Sequence, residues 1–264
     1  MKLNTDKMIA EKEDGIGWMI FNNPARHNAL TVEMQEAVPV ILGSYAEDEE
    51  VRVVVMKGAG DKAFVSGADI SEFEARRSSE EAIKVYNRIA ARAAASYSAL
   101  GKPLIAMIRG FAMGGGLLTA LRADLRIASD DSWFGVPAAR LGLGYEYAGV
   151  KALVDLVGAA HTREILLTGS RFDADDALRM GLINRVIPAA ELEGAVRDLA
   201  RTIAENAPLT IKAIRAAIDE AMKDKEDRDL ALIDRLVAAC FASEDYIEGR
   251  RAFMEKRKPR FLGR

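Results

Sequence analysis

A chain of 264 residues, half of them hydrophobic and 29% charged, has the balance of one large α/β domain or of a core with a smaller helical appendage, and excludes a disordered or fibrous protein. Its 37 basic and 40 acidic residues leave a formal charge of -3, which provides no general attraction to nucleic acid or to a membrane surface. Apolar stretches break well before the roughly 18 residues of a spanning helix, Met1–Ala10 lacks the apolar centre of a signal peptide, and the lone Cys240 excludes an intrachain disulfide, so a cytoplasmic protein is expected.

Met8 to Lys12 and Trp18 to Phe21 read as strands joined by the turn residues Asp14 and Gly15, a hairpin. Thr31 then acts as N-cap of a helix running to about Glu47, with Glu33 and Glu36 complementing its dipole. The β-branched run Arg52 to Lys57 is a strand closed by Gly58-Ala59-Gly60-Asp61. A charged helix over roughly Glu80 to Leu100 stops at Gly101 and Pro103. A strand at Leu104 to Ile108, a helix to about Leu121 and a strand at Leu125 to Ala128 form a second βαβ unit, which predicts parallel pairing with right-handed crossovers.

From Gly149 the periodicity is almost wholly helical: Val150 to Val157, Thr162 to Leu167, Ala174 to Met180, Glu191 to Ala204, Thr210 to Ala221, and two more helices to about Lys256. Only Asn184 to Ile187 reads as extended. The shift places a boundary near residue 200. Residues 1–200 form a core, and 201–264 a helical part that either packs on itself or reaches to another subunit.

Two glycine-bearing segments stand out, Phe64-Val65-Ser66-Gly67-Ala68-Asp69-Ile70 and Gly110-Phe111-Ala112-Met113-Gly114-Gly115-Gly116. Each follows a β-branched run and precedes a helical pattern, so each reads as a strand-to-helix turn whose first N–H groups lack partners. Glycine lets bare backbone approach a ligand. Two such donors from separate turns make an oxyanion hole, in which loss of one donor typically costs about 10²–10³ in rate. The second segment is no P-loop, because no Gly-Lys-Ser/Thr follows it, and His27 and His161 fall in no metal or triad motif.

These residues carry a resemblance. With Asn22-Asn23-Pro24-Ala25-Arg26-His27-Asn28-Ala29-Leu30, Ala123-Asp124-Leu125-Arg126-Ile127-Ala128, Phe134-Gly135-Val136-Pro137, Leu141-Gly142, Leu167-Thr168-Gly169, Gly181-Leu182-Ile183-Asn184 and the tail from Ser243 to Pro259, the chain resembles the crotonase superfamily, or enoyl-CoA hydratase/isomerase family, over nearly its whole length. The resemblance implies an α/β fold with a twisted ββα spiral core and C-terminal helices. It also implies homotrimers that pair into hexamers, an acyl-CoA thioester as ligand, and no cofactor beyond the CoA of the substrate. By motif position, the donors to the thioester oxygen are the N–H groups of Ala68 and Gly115. Arg26 lies in the loop that relatives pass near the CoA phosphates, Ser66 and Ala68 lie where they hold the adenine, and Phe253 and Lys256 match C-terminal residues presented to CoA, commonly by a neighbouring subunit. Asp69, which follows the first donor, is read as an N-cap.

The departures from the family pattern bear on the reaction. Hydratases of this superfamily carry two glutamates that activate water, and the matching positions here are Leu118 and Ala138, which cannot transfer a proton. Some relatives instead place an acid near Glu146 and a tyrosine at Tyr145. Glu146 has aromatic and apolar sequence neighbours, so burial is expected to raise its basicity and make it the proton-transfer group, with Tyr145 donating a proton or hydrogen bond. This favours isomerisation, decarboxylation or a related enolate reaction over hydration. A hydratase, or an acyl-CoA-binding scaffold without catalysis, remains the alternative. Walls of the acyl pocket are expected from helices near Glu74 to Ala95 and from the C-terminal part.

Overall fold

The computed structural model describes residues 1–72 and 79–264. Strands β1 (Met8–Glu13) and β2 (Ile16–Phe21) form the expected antiparallel hairpin, with Asp14 and Gly15 at φ of 51° and 79° in its turn. Thr31 Oγ1 accepts the Met34 N–H and opens α1 (Val32–Glu47). There follow β3 (Val53–Gly58), β4 (Ala63–Val65), α2 (Glu80–Ala99), β5 (Leu104–Ile108), β6 (Phe111–Met113), α3 (Gly115–Ala120), β7 (Leu125–Ser129) and β8 (Trp133–Gly135). Then come α4 (Tyr147–Thr168), β9 (Phe172–Asp173), α5 (Ala174–Arg179), β10 (Arg185–Ile187) and α6 (Leu192–Ala204). Helices α7 (Pro208–Ala221), α8 (Leu230–Ala242) and α9 (Glu244–Met254) close the chain.

The strands sort into two sheets. One is six-stranded in the order β1-β2-β3-β5-β7-β10, parallel except at β1, and the other is four-stranded in the order β4-β6-β8-β9. The βαβ units expected from the sequence are therefore ββα units. Each of β3, β5 and β7 is followed by a three-residue strand of the second sheet, and only then by a helix or turn. Three residues carry too little periodicity to announce a strand.

The inner strands β2, β3 and β5 of the larger sheet are buried on both faces, so they read as apolar runs. On one face Phe21, Val54, Met56, Leu104 and Ile108 meet Met34, Ile41 and Leu42 of α1. On the other, Trp18, Ile20, Val53, Val55, Ile105 and Met107 meet Leu192, Val196 and Ala200 of α6. Helix α6 thus packs on the larger sheet, and the next helix, α7, begins at Pro208. The two helices expected over Val150 to Leu167 are the two halves of α4, separated at Gly158, whose φ 74° and ψ 167° are not helical. No described helix is long and apolar enough to cross a membrane.

The smaller sheet positions the site. Strands β4 and β6 pair in parallel, Ala63 with Phe111 and Val65 with Ala112, so the turns that leave them are neighbours. Helix α3 is pressed onto β4 so closely that a Cβ on Gly116 would lie 1.9 Å from the Val65 carbonyl oxygen. Backbone cannot yield by that much without moving the turn. Gly116→Ala is therefore expected to destabilise the fold by about 3 kcal/mol or more in urea unfolding, within the upper range for overpacking. A loss below about 0.5 kcal/mol would show that α3 is not seated as described.

Candidate active site

The first turn after β4 is held against the loop that carries Arg26. Asn28, wholly buried, donates from Nδ2 to the carbonyls of Ala59 (3.0 Å) and Ala63 (2.7 Å) and accepts the Asn23 N–H (2.9 Å). This sets Leu30 beside Ala68 in a parallel bridge: Leu30 N–H donates to Gly67 O (2.8 Å) and Leu30 O accepts from Asp69 N–H (2.9 Å). Because extended backbone alternates its polar groups, the Ala68 N–H points away from Leu30, and it has no acceptor among the described residues. Ser66 N–H, in contrast, donates to the His27 carbonyl (3.1 Å).

The second turn is anchored to β8, with Gly114 N–H donating to Gly135 O (2.8 Å). Gly114 takes φ 51° and ψ -119°, a conformation open essentially to glycine, and turns the chain into α3. Gly115 is the first residue of that helix, so its N–H has no intrahelical acceptor. A Cβ placed on Gly115 would sit 3.8 Å from the Ala68 nitrogen. The turns that carry the two unpaired donors are thus close together, with Leu30 Cδ1 3.9 Å from the same point. Ala68 precedes a 3-10 turn, Ile70–Glu72, and residues 73–78 beyond it lie outside the described residues.

Polar groups gather around the first turn. The Asp69 carboxylate accepts the Ser71 hydroxyl (2.7 Å) and N–H (3.0 Å), bonds that hold its pKa below the usual carboxylate value despite partial desolvation. This Asx turn is the capping role expected of Asp69. The exposed Arg26 guanidinium reaches Ser71 Oγ (3.2 Å) and Asp69 Oδ1 (3.5 Å). Glu72, which no sequence signal singled out, accepts the first N–H of α1, from Val32 (3.0 Å). The pocket wall expected from Glu74 onward falls partly on residues 73–78, outside the described residues.

One turn along α3 from Gly115 lies Leu118, and its side chain and that of Tyr145 both approach Gly149. Leu118 Cδ1 and Tyr145 Cε1 are 3.4 and 3.0 Å from the point where Gly149 would carry a Cβ. The Tyr145 hydroxyl is buried with no hydrogen-bond partner, and this desolvation pushes its pKa far above the ordinary tyrosine value. Ala138 is buried in the turn Pro137–Leu141. Glu146 is not where the sequence placed it: it is the backbone N-cap of α4, its side chain is exposed and it makes no capping bond, so the expected desolvation is absent. A residue that starts a helix at the protein rim projects its side chain outward, whatever its sequence neighbours.

Phe253 and Lys256 lie apart from these turns. Phe253 is 84% exposed on α9 and borders a groove of about 660 Å³ lined by α7, α8, α9 and Phe261. Lys256, at φ 53°, is exposed just beyond α9, and the half-buried Cys240 lines the same groove rather than a core.

Two stacked sheets built from ββα units, with paired glycine turns at the ends of adjacent short strands, are the crotonase architecture. The chain belongs to the enoyl-CoA hydratase/isomerase family, whose sequence model matches residues 11–264. It is 36% identical to the short-chain-enoyl-CoA hydratase of Clostridium acetobutylicum, covering 98% of this chain and 97% of that protein. It is 34% identical to the crotonyl-CoA hydratase of Syntrophomonas wolfei, over 98% and 99%. A solved enoyl-CoA hydratase/carnithine racemase from Magnetospirillum magneticum superposes with a TM-score of 0.89 at 32% identity, over 99% of this chain and 97% of that one.

The buried Tyr145 hydroxyl makes a pH prediction. Its raised pKa means that folding favours the neutral form, so its share of stability is intact below about pH 10, where the unfolded side chain ionises, and is lost as pH rises toward the folded pKa. Tyr45, raised by burial to about 12, acts in the same sense. Urea unfolding between about pH 9 and 11.5 should show stability falling with pH, and falling less steeply in Tyr145→Phe. Equal slopes would show that this hydroxyl is not buried.

Proposed function

We propose that the chain is an enzyme that binds an acyl-CoA thioester and stabilises the enolate of its acyl group between the N–H groups of Ala68 and Gly115. The observation that carries this reading is the pair of main-chain donors without acceptors among the described residues, on turns close enough that a Cβ on Gly115 would sit 3.8 Å from the Ala68 nitrogen. Preorganised N–H groups in a site shielded from water act where negative charge develops, and no reorganisation is needed at the moment of reaction.

CoA recognition falls to the polar surroundings of the first turn. Arg26, held over that turn by Ser71 and Asp69, meets the phosphates with a forked, permanently charged donor. The backbone of Ser66 and Ala68 receives the adenine, and Phe253 and Lys256 of a neighbouring copy complete the site. This last assignment draws on the exposed apolar face of α7 to α9, where Ile218, Phe241, Ile247, Phe253 and Met254 are all more than half exposed. The C-terminal helices are accordingly the trimerisation region, in a homotrimer or a hexamer of two trimers working in the cytoplasm.

The reaction is an isomerisation, decarboxylation or related lyase step on the enolate. With Leu118 and Ala138 at the positions where the family's hydratases hold water-activating glutamates, no acid–base pair remains for hydration. Tyr145, buried beside Leu118, is the donor that meets the acyl group, and Glu146 at the rim exchanges the proton with solvent. The identity of 36% to a named short-chain-enoyl-CoA hydratase favours hydration as the second reading.

Loss of enoyl absorbance from crotonyl-CoA separates the two: the account predicts no hydration above background, together with turnover in a panel of other acyl-CoAs. Glu146→Gln should lower kcat by roughly 10²–10⁴ while acyl-CoA affinity stays within about threefold. Turnover retained in that variant would remove Glu146 from the mechanism. Tight binding of several acyl-CoAs with no turnover of any would instead favour a binding scaffold.

A further inference from the structure

The face of the larger sheet that meets α6 ends in charge. Side chains alternate along a strand, so Val53 and Val55 of β3 are continued on that face by Lys57, and Ile105 and Met107 of β5 by Arg109, one residue past the strand. Lys57 pairs with Met107 in the parallel register, which sets both cations at the carboxyl ends of neighbouring strands, the end at which open parallel sheets take their ligands. Both line a cavity of about 460 Å³, within the size range of small-molecule sites. Ile9, Ile20 and Met107 give it an apolar wall, and the turn Gly58-Ala59-Gly60 closes another side.

The two cations are not equivalent. Lys57 Nζ lies 2.9 Å from Glu193 Oε2 and over the Trp18 ring, 5.1 Å from its centroid. Glu193, the one carboxylate among the described residues that line the cavity, also accepts two bonds from Arg197 (2.9 and 3.2 Å), so its charge is already matched. Arg109 has no such partner. Its Nε is buried and unbonded, and its guanidinium makes no hydrogen bond or ion pair among the described residues. A half-buried, permanently charged group without a counter-charge is costly, and folded chains seldom keep one. The start of α6 adds to the positive potential. Leu192 and Glu193 border the cavity in the first turn of that helix, and the N-cap Glu191 makes no side-chain capping bond.

We infer that this cavity is a second binding site, for a small organic anion whose carboxylate or phosphoryl head meets Arg109 and whose apolar body lies along Ile9, Ile20 and Met107. It is separate from the proposed acyl-CoA site. The cavity opens on the α6 side of the larger sheet, whereas Val65 and Leu117, beside the glycine turns, pack in the cluster on the α1 side. None of the residues assigned to the thioester or to CoA lines it.

Calorimetric titration of the full chain with hexanoate, hexyl phosphate and hexylamine tests the inference. At least one of the two anions should bind tenfold or more tightly than the amine, and the tighter of the two identifies the head group. Arg109→Met, which keeps the length of the side chain and removes its charge, should weaken that anion tenfold or more. Arg109→Lys, which keeps the charge and loses the fork, should weaken it less. Without ligand, Arg109→Met should unfold at no lower urea concentration than the wild type, because no bond of the guanidinium is lost. Saturating CoA should leave the anion's affinity within about twofold. The inference is overturned if neither anion outbinds the amine, if Arg109→Met binds the anion as the wild type does, if that variant is less stable than the wild type, or if CoA displaces the anion. A chain that binds the anion through Arg109 but binds no CoA would overturn the acyl-CoA reading and leave this site standing.

Discussion

The structure depends on one close backbone approach. Helix α3 rests on strand β4 with nothing but hydrogen between Gly116 and the Val65 carbonyl, and the parallel pairing of β4 with β6 fixes the turns beyond them side by side. Everything that shapes the candidate site refines this contact. Gly135 of β8 holds Gly114, Asn28 ties the Arg26 loop to the end of β4, and Leu30 takes the carbonyl and N–H on either side of Ala68. What remains is a pair of donors that the fold cannot satisfy. Unpaired main-chain groups are tolerated in folded proteins where a ligand or water meets them.

That arrangement separates binding of the reacting oxygen from the choice of reaction. The donors are main-chain atoms, so they persist whatever side chains surround them, and the direction of the chemistry is left to a few positions around the acyl group. In this chain those positions are apolar at Leu118 and Ala138, with one buried hydroxyl at Tyr145. A site built from backbone donors, in a neighbourhood of variable side chains, is how one family can hold relatives named for different reactions on CoA esters.

Much of this was legible in the sequence. The Asp14-Gly15 turn, the Thr31 cap and the long β-branched runs announced the hairpin, α1 and the larger sheet, because each signal is local and repeated. The two glycine segments marked the site for the same reason. The second sheet was not legible from periodicity, since its strands are two or three residues long, and the ββα order came only from the resemblance. The exposure of the Glu146 side chain was not legible, because sequence neighbours say nothing about which way a helix N-cap residue projects. The approach of Leu118 and Tyr145 to Gly149 joins residues about 30 positions apart in sequence, and no spacing rule reaches across that interval.

The central claim, that the Ala68 and Gly115 N–H groups grip one thioester oxygen, is open to a direct spectroscopic measurement. Isotope-edited infrared difference spectra of an acyl-CoA labelled with ¹³C at the thioester carbonyl would report the hydrogen bonding of that oxygen when bound. The account predicts a clear shift of the labelled C=O stretch to lower frequency than in water, diminished in Gly114→Ala, which turns the Gly115 donor aside. A bound ester whose carbonyl stretch matches that of the free ester in water would contradict it.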